Sequence, residues 1–171
     1  MKINFDNTKD LASYDFLEKL SIELWKKENI YLLDEPMRAD IPEFFYISAY
    51  IIQFDTEFQM QGLTTLLTNS STYNFKNTLK SLKIIGSKRL VNCLQNILNT
   101  LKDYDMTPVK MRDRFLKGTE GLPEYSIISM GQFLKQDELL LDLKVHEDEL
   151  YEIYNEIWTD LEAYLIKVRG K

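Results

Sequence analysis

The chain has 171 residues, 44% hydrophobic and 28% charged, with six glycines, four prolines and a net charge of −6. That balance excludes wholesale disorder and a turn-rich all-β architecture, and the length fits one domain with a sizeable core. Cys93 stands alone, so an internal disulfide is excluded; no apolar run is long enough to span a membrane, and the acids among the first residues exclude a signal peptide.

In chain order, Asp10 or Ser13 is placed to cap a first helix through Leu17, Leu20, Leu24 and Trp25, running to about Glu28. Asp40-Ile41-Pro42-Glu43 reads as a cap, a first-turn proline and an acid three residues on, ahead of an amphipathic helix through Phe44, Ile47, Ile51, Phe54 and Phe58. Gly62 weakens or bends that helix, and Asn69-Ser70-Ser71-Thr72 ends it and caps the next. Leu79, Leu82 and Ile85 mark a short helix closed by Gly86, whose missing Cβ suits a left-handed C-terminal residue. Ser87 caps a helix through Leu90, Leu94, Ile97, Leu98 and Leu101, and Thr107-Pro108 starts another that Gly118 stops. Gly118 to Pro123 reads as a loop, Tyr125–Ser129 leaves room for a strand, and two helices are predicted at about 131–143 and 147–168. The expectation is an all-α, single compact domain of about six to eight helices covering 1–171.

Charge is distributed in blocks. Residues 1–60 hold 6 basic and 12 acidic side chains, residues 61–117 hold 10 and 3, and residues 118–171 hold 5 and 12. Such blocks either neutralise one another across helix interfaces or display separate acidic and basic faces. The acidic C-terminal region, about 132–168, carries the clearest pattern. Glu149, Glu152, Glu156 and Asp160 recur every three or four residues and would form one anionic row on a single helix. Glu147 and Asp148 stand at the start of that row, and Leu150, Tyr154, Ile157, Leu161 and Leu165 form the apolar stripe beside it.

Chemistry-bearing motifs are scarce. His146-Glu147-Asp148-Glu149-Leu150 begins like a zinc-protease helix, but Leu150 stands where the second histidine belongs, so no metal is expected. Cys93 lies at helical spacing from Leu90 and Ile97 and reads as a small buried hydrophobe. Gly118 and Gly121 read as turn residues, no phosphate-cradling glycine loop exists, and no cofactor is expected. Trp25 and Trp158 fall on apolar stripes and read as core. Lys76, Lys80, Lys83, Lys88 and Arg89 form a basic run, yet the sequence pI of 4.9 argues against direct nucleic-acid binding.

The segments Tyr46–Tyr50, Glu57–Leu63, Leu66–Ser71 and Leu79–Ser87 resemble a bacterial domain-of-unknown-function family that includes an acidic DNA-mimic protein. The resemblance covers about 45–100 and is carried by Tyr46, Glu57, Gly62, Asn69, Ser70 and Gly86. Gln61 replaces the family's first glycine, Met60 the preceding asparagine, and Leu66-Leu67 an aromatic pair. The resemblance implies an all-helical fold and DNA mimicry toward a DNA-binding protein. Duplex DNA carries about one charge per 1.7 Å of axis, whereas one acid per helical turn gives about one per 5–6 Å. A mimic therefore needs two or three rows side by side, and Glu18, Glu23, Glu28, Asp34, Glu35 and Asp40 could add one if the N-terminal region lies beside the C-terminal helix.

The reading that follows is a non-enzymatic, cytoplasmic interaction module that binds a basic protein through Glu147, Asp148, Glu149, Glu152, Glu156 and Asp160. The alternatives are an immunity protein neutralising a cationic toxin or nuclease, and an enzyme with a site near Glu57 and Asn69. A deep pocket holding those two side chains would count for the enzyme, and a solvated Glu57 with a capping Asn69 would count against it.

Overall fold

The computed structural model describes residues 11–26, 33, 41–118 and 138–170. Among them lie eight α-helices: α1 (Ser13–Leu24), α2 (Glu43–Gln61), α3 (Leu63–Thr68), α4 (Phe75–Ile85), α5 (Lys88–Asp103), α6 (Pro108–Gly118), α7 (Glu138–Ile153) and α8 (Glu156–Arg169). A 3-10 turn, Ser70–Asn74, joins α3 to α4, and no strand occurs among the described residues. The compact all-α fold expected from the sequence is the fold observed. The segment Tyr125–Ser129, where a strand had room, lies outside the described residues.

The second helix organises the core. Rather than showing one apolar face, α2 is buried around most of its circumference, with Phe45, Tyr46, Ile47, Ala49, Tyr50, Ile51, Ile52, Phe54 and Phe58 all enclosed. A helix apolar all round needs neighbours all round. They are α1, α3, α4 and α8, each packed against it, and this replaces the one-faced helix that Phe44, Ile47 and Ile51 suggested. Around this centre α5 lies along α7, and α3 along α6. Phe16 of α1 meets Phe44 and Phe45 edge-on, and Arg169 at the end of α8 sits 4.4 Å over the Phe16 ring. A cation over an aromatic face is attracted by the ring quadrupole, so this contact helps hold α1 beside α8.

Local signals explain some helix ends and not others. Gly86 is left-handed (φ 90°, ψ 13°); its N–H reaches Lys83 O and the Ser87 N–H reaches Leu82 O, which satisfies the last carbonyls of α4. Thr107 Oγ1 accepts the Lys110 N–H at 3.1 Å and starts α6 as expected. At α1 the cap position is Ala12 and Ser13 is already helical, while Asp10 lies outside the described residues. Ser87 holds the cap position of α5, but its hydroxyl is engaged elsewhere.

The C-terminal helices divide differently from the expected 131–143 and 147–168. The break falls at Tyr154-Asn155, where the ladder tightens to Ile157 N–H to Tyr154 O (3.1 Å) and Trp158 N–H to Asn155 O (3.4 Å). Asn is a weak helix former, and α7 and α8 pack on different neighbours, α7 on α5 and α8 on α4, α1 and α2. The expected single row is therefore split, with Glu149 and Glu152 on α7 and Glu156 and Asp160 on α8.

Candidate functional site

The acids of the C-terminal helices sort by what faces them. Glu147 reaches across to α3, where its Oε1 accepts the Leu63 N–H at 2.9 Å, and its Oε2 meets Lys144 Nζ at 2.9 Å. A carboxylate at a helix N-terminus satisfies an orphan donor and meets the positive end of the dipole. Gly62 makes this approach possible. Its backbone (φ 69°, ψ −151°) lies where side-chain-bearing residues scarcely go, and a Cβ there would stand 2.3 Å from Glu147 Oε1. Glu156 pairs with Arg89 at the start of α5, and Asp160 Oδ2 accepts the Ser87 hydroxyl at 2.5 Å. Here one cation of the basic middle block, Arg89, pairs with an acid of the end block, and Asp160 is engaged by a neutral hydroxyl.

Three of the expected binding residues remain outward. Asp148, Glu149 and Glu152 are exposed along α7. Asp148 shares Lys144 with Glu147, and the two carboxylates, Asp148 first, raise the Lys144 pKa. Glu149 stands beside Cys93, whose thiol is pushed up to about 12, first by burial and then by that carboxylate. Cys93 is thus an inert core thiol, and its S–H points to the His146 carbonyl at 3.4 Å. His146 Nε2 lies 2.9 Å from Thr100 Oγ1 between α5 and α7, and no group of three metal-ligating side chains occurs among the described residues.

Two of the residues that carried the resemblance, Glu57 of α2 and Asn69 after α3, form a polar clamp. Glu57 is 6% exposed and accepts the Asn69 side-chain amide at 2.5 Å. Asn69 stands at a helix terminus but gives its side chain to Glu57 rather than to a cap. Burial raises the Glu57 pKa, and Asn69 and the Arg112 guanidinium oppose that rise. Arg112 donates to Thr68 O at 2.7 Å and lies over the Tyr73 ring. A cavity of about 200 Å³ between α3, α6 and α7, lined mainly by Leu63, Leu67, Met111, Leu140 and Leu143, does not include Glu57 or Asn69. Tyr46 is 1% exposed within α2, Ser70 is exposed in the 3-10 turn, and Gly86 closes α4.

In a second group of acids, Glu18 was anticipated as an addition to the C-terminal acids, whereas Asp55 and its grouping with Glu162 were not. At roughly 100° per residue, Glu162 is turned roughly 160° around α8 from Asp160 and faces away from α5. It lines a groove of about 580 Å³ formed with α1 and α2, together with Tyr14, Leu17, Glu18, Asp55, Trp158 and a few small polar residues. Among the described residues no basic side chain lines it. Burial raises the pKa of Asp55, against hydrogen bonds from Gln59 and the Trp158 indole that lower it. Its Oδ1 is buried without a hydrogen-bond partner among the described residues. Trp158, read as core, is half-buried on the groove wall, and Trp25 is 48% exposed. The available signal was Asp55 and Glu57, the two acids of α2 beyond its first turn, flanked by Phe54 and Phe58.

Residues 39–167 match the family model described as DMP19-like protein, a DNA-mimic protein family. The match covers most of the chain, and the chain belongs to that family. Comparisons with curated proteins and with solved structures give no match.

Proposed function

We propose that this member of the DMP19-like family is a non-enzymatic DNA mimic that engages the DNA-contacting surface of a basic protein through the acids its own fold leaves outward. The observation that carries the reading, beside family membership, is the uneven pairing of the C-terminal helices. Across residues 138–170 nine acids stand against three basic residues, and Asp148, Glu149 and Glu152 remain exposed on α7. A DNA-binding surface offers Lys and Arg arranged for phosphate, and carboxylates can take the same charge-assisted bonds.

One helix row is too sparse to imitate a duplex, so the packing of α1 beside α8 supports the reading. It brings Glu18 into the same groove as Glu162 and supplies an acid from a second helix. Glu23 is held by Lys26 at 2.5 Å, while Glu28, Asp34, Glu35 and Asp40 lie outside the described residues. The buried, clamped state of Glu57 favours a structural role over catalysis at that position. No helix among the described residues is long and apolar enough to cross a membrane.

The test is competition. Proteins captured from lysate on the immobilised chain are eluted with stepped salt, and each is assayed for DNA binding by fluorescence anisotropy. The expected result is a DNA-binding protein whose DNA complex the chain dissociates, with a log affinity that falls linearly in log salt. Reversing Asp148, Glu149 and Glu152 to lysine should weaken that competition roughly a hundredfold, at somewhat under 1.4 kcal/mol per charge. Unchanged competition by the triple variant would sink the assignment of α7.

A further inference from the structure

We infer that the outward face of α4 is a docking surface for single-stranded nucleic acid, with a lysine row that takes phosphates and Tyr73 as the platform for a base. The inference goes beyond the mimic reading and does not rest on it. It starts from an asymmetry in the chain. From Phe58 to Lys102 there are six cations and no acid, although the whole chain holds 27 acids against 21 bases. Lys76, Lys80 and Lys83 recur at i, i+4 and i+7 on α4, which sets them within one arc of about 60°. All three are exposed, as is Lys88 just past Gly86. The other sides of α4 pack against α2, α5 and α8, so this arc is the side that the packing leaves to solvent.

These lysines are not neutralised by the rest of the fold. Arg89 pairs with Glu156, whereas Lys76, Lys80, Lys83 and Lys88 have no ion pair among the described residues. Like charges at this helical spacing repel one another, and a polyanion laid along the row relieves the repulsion. The low pI that argued against nucleic acid describes only the sum of the charges. Locally the signs are separated, because α5 packs against both α4 and α7 and stands between the lysine row and the exposed acids of α7. An aromatic side chain then distinguishes a single strand from other anions. Tyr73 is 55% exposed in the 3-10 turn, three residues ahead of Lys76, and the Arg112 guanidinium lies 5.4 Å from the centre of its ring and orients it. Unpaired bases stack on such a ring beside a basic track; a duplex keeps its bases paired inside, and an acidic protein surface offers carboxylates alone.

The experiment is fluorescence anisotropy of a fluorescein-labelled oligothymidylate titrated with the full chain at low salt. A saturable rise is expected, with log affinity falling against log salt at a slope of about −2 to −3, from three or four phosphates at about 0.7 each. Lys76→Glu/Lys80→Glu/Lys83→Glu, which changes exposed side chains only, should abolish the rise, while a cooperative urea transition shows that the variant folds. Tyr73→Leu should weaken binding about tenfold at unchanged slope, and Tyr73→Phe should bind like the parent. The complementary duplex and poly-glutamate should each compete at least about tenfold less well than the single strand. No rise at low salt, full binding by the lysine variant, or parental affinity in Tyr73→Leu overturns the inference. Equal competition by the duplex would reassign the row to a duplex backbone, and equal competition by poly-glutamate to an acidic protein; either result overturns the single-strand surface.

Discussion

Two sets of carboxylates flank one apolar stripe of α8, and their surroundings are opposite. On one side Glu156 and Asp160 meet Arg89 and Ser87; on the other Glu162 joins Glu18 and Asp55 around a groove that no basic residue lines among the described residues. The helix itself does not distinguish them, since both sides are acids at helical spacing beside Ile157, Leu161 and Leu165. The difference lies in what packs alongside: the α4–α5 junction brings the basic middle block, and α1 brings another acid. Acidity of a segment is thus a poor guide to where a cationic partner docks. What matters is which acids the rest of the fold leaves unneutralised, and substitutions on the two sides should separate into those that unfold the chain and those that alter binding alone.

The inward-facing acids should dominate stability, and the largest effect is expected where Glu147 is displaced. Gly62→Ala puts a Cβ 2.3 Å from Glu147 Oε1 and 2.7 Å from Tyr151 Oη at a backbone conformation that alanine avoids. Strain and overpacking together should cost about 4 kcal/mol, read as a lowered urea midpoint at unchanged slope. A loss below about 1 kcal/mol would mean that Glu147 is free to leave α3 and belongs with the outward set.

Next comes Glu57. Removing it as Glu57→Ala leaves Asn69 and Arg112 facing each other without the carboxylate, at a cost of about 3 kcal/mol. Its pH signature has a definite sign. Burial raises its pKa above the ordinary 4.5, so the native state keeps the proton longer than the unfolded chain does. Just above pH 4.5 the native state binds more protons, and this group's contribution to stability falls as pH rises through that window. Glu57→Gln has no proton to lose, and its stability curve should be flatter there than that of the parent chain. An equally steep curve would assign the slope to other groups, Asp55 first, whose pKa burial also raises.

Much of this architecture was legible from the chain, and the illegible parts share a cause. Gly86 and Thr107-Pro108 announced their helix ends because their chemistry is local, a left-handed residue and a hydroxyl cap. Tyr154-Asn155 carries neither glycine nor proline, so the division of α7 from α8 had no strong local mark, and a row drawn through it joined acids that belong to different helices. Glu57 and Asn69 could be singled out, but not that they bind each other. The groove was out of reach because it assembles residues from 14–21, 52–56 and 158–162, and only the packing of three helices brings those together.

A smaller effect should follow at the α4–α5 junction. Ser87 is buried, and its hydroxyl donates to Asp160 at 2.5 Å. Ser87→Ala should cost about 1.5 kcal/mol, the low end of the range for a hydrogen bond to a charged group, because Asp160 is only partly buried. The outward binding surface should be unaffected, so competition for a basic partner should remain at the parental level. A variant that loses binding along with stability would tie the two sides of α8 together.

The smallest stability effect, and the sharpest contrast, is expected from Glu18→Gln/Glu162→Gln. Neither residue contributes to the core, and both are exposed and line a groove whose charged residues, among those described, are all acids. Neutralising them should leave stability within about 0.5 kcal/mol of the parent, with any shift toward higher stability because like-charge repulsion is relieved. Salt supplies an independent reading of the same repulsion. Between 0.1 M and 1 M salt the screening length shortens from about 10 Å to about 3 Å, so salt should stabilise the parent chain more than the double variant. Both are read as urea midpoints at the two salt concentrations. A double variant that unfolds more readily than the parent would show that these carboxylates hold α1 to α8, which would place them with Glu147 and Asp160 among the acids that build the fold.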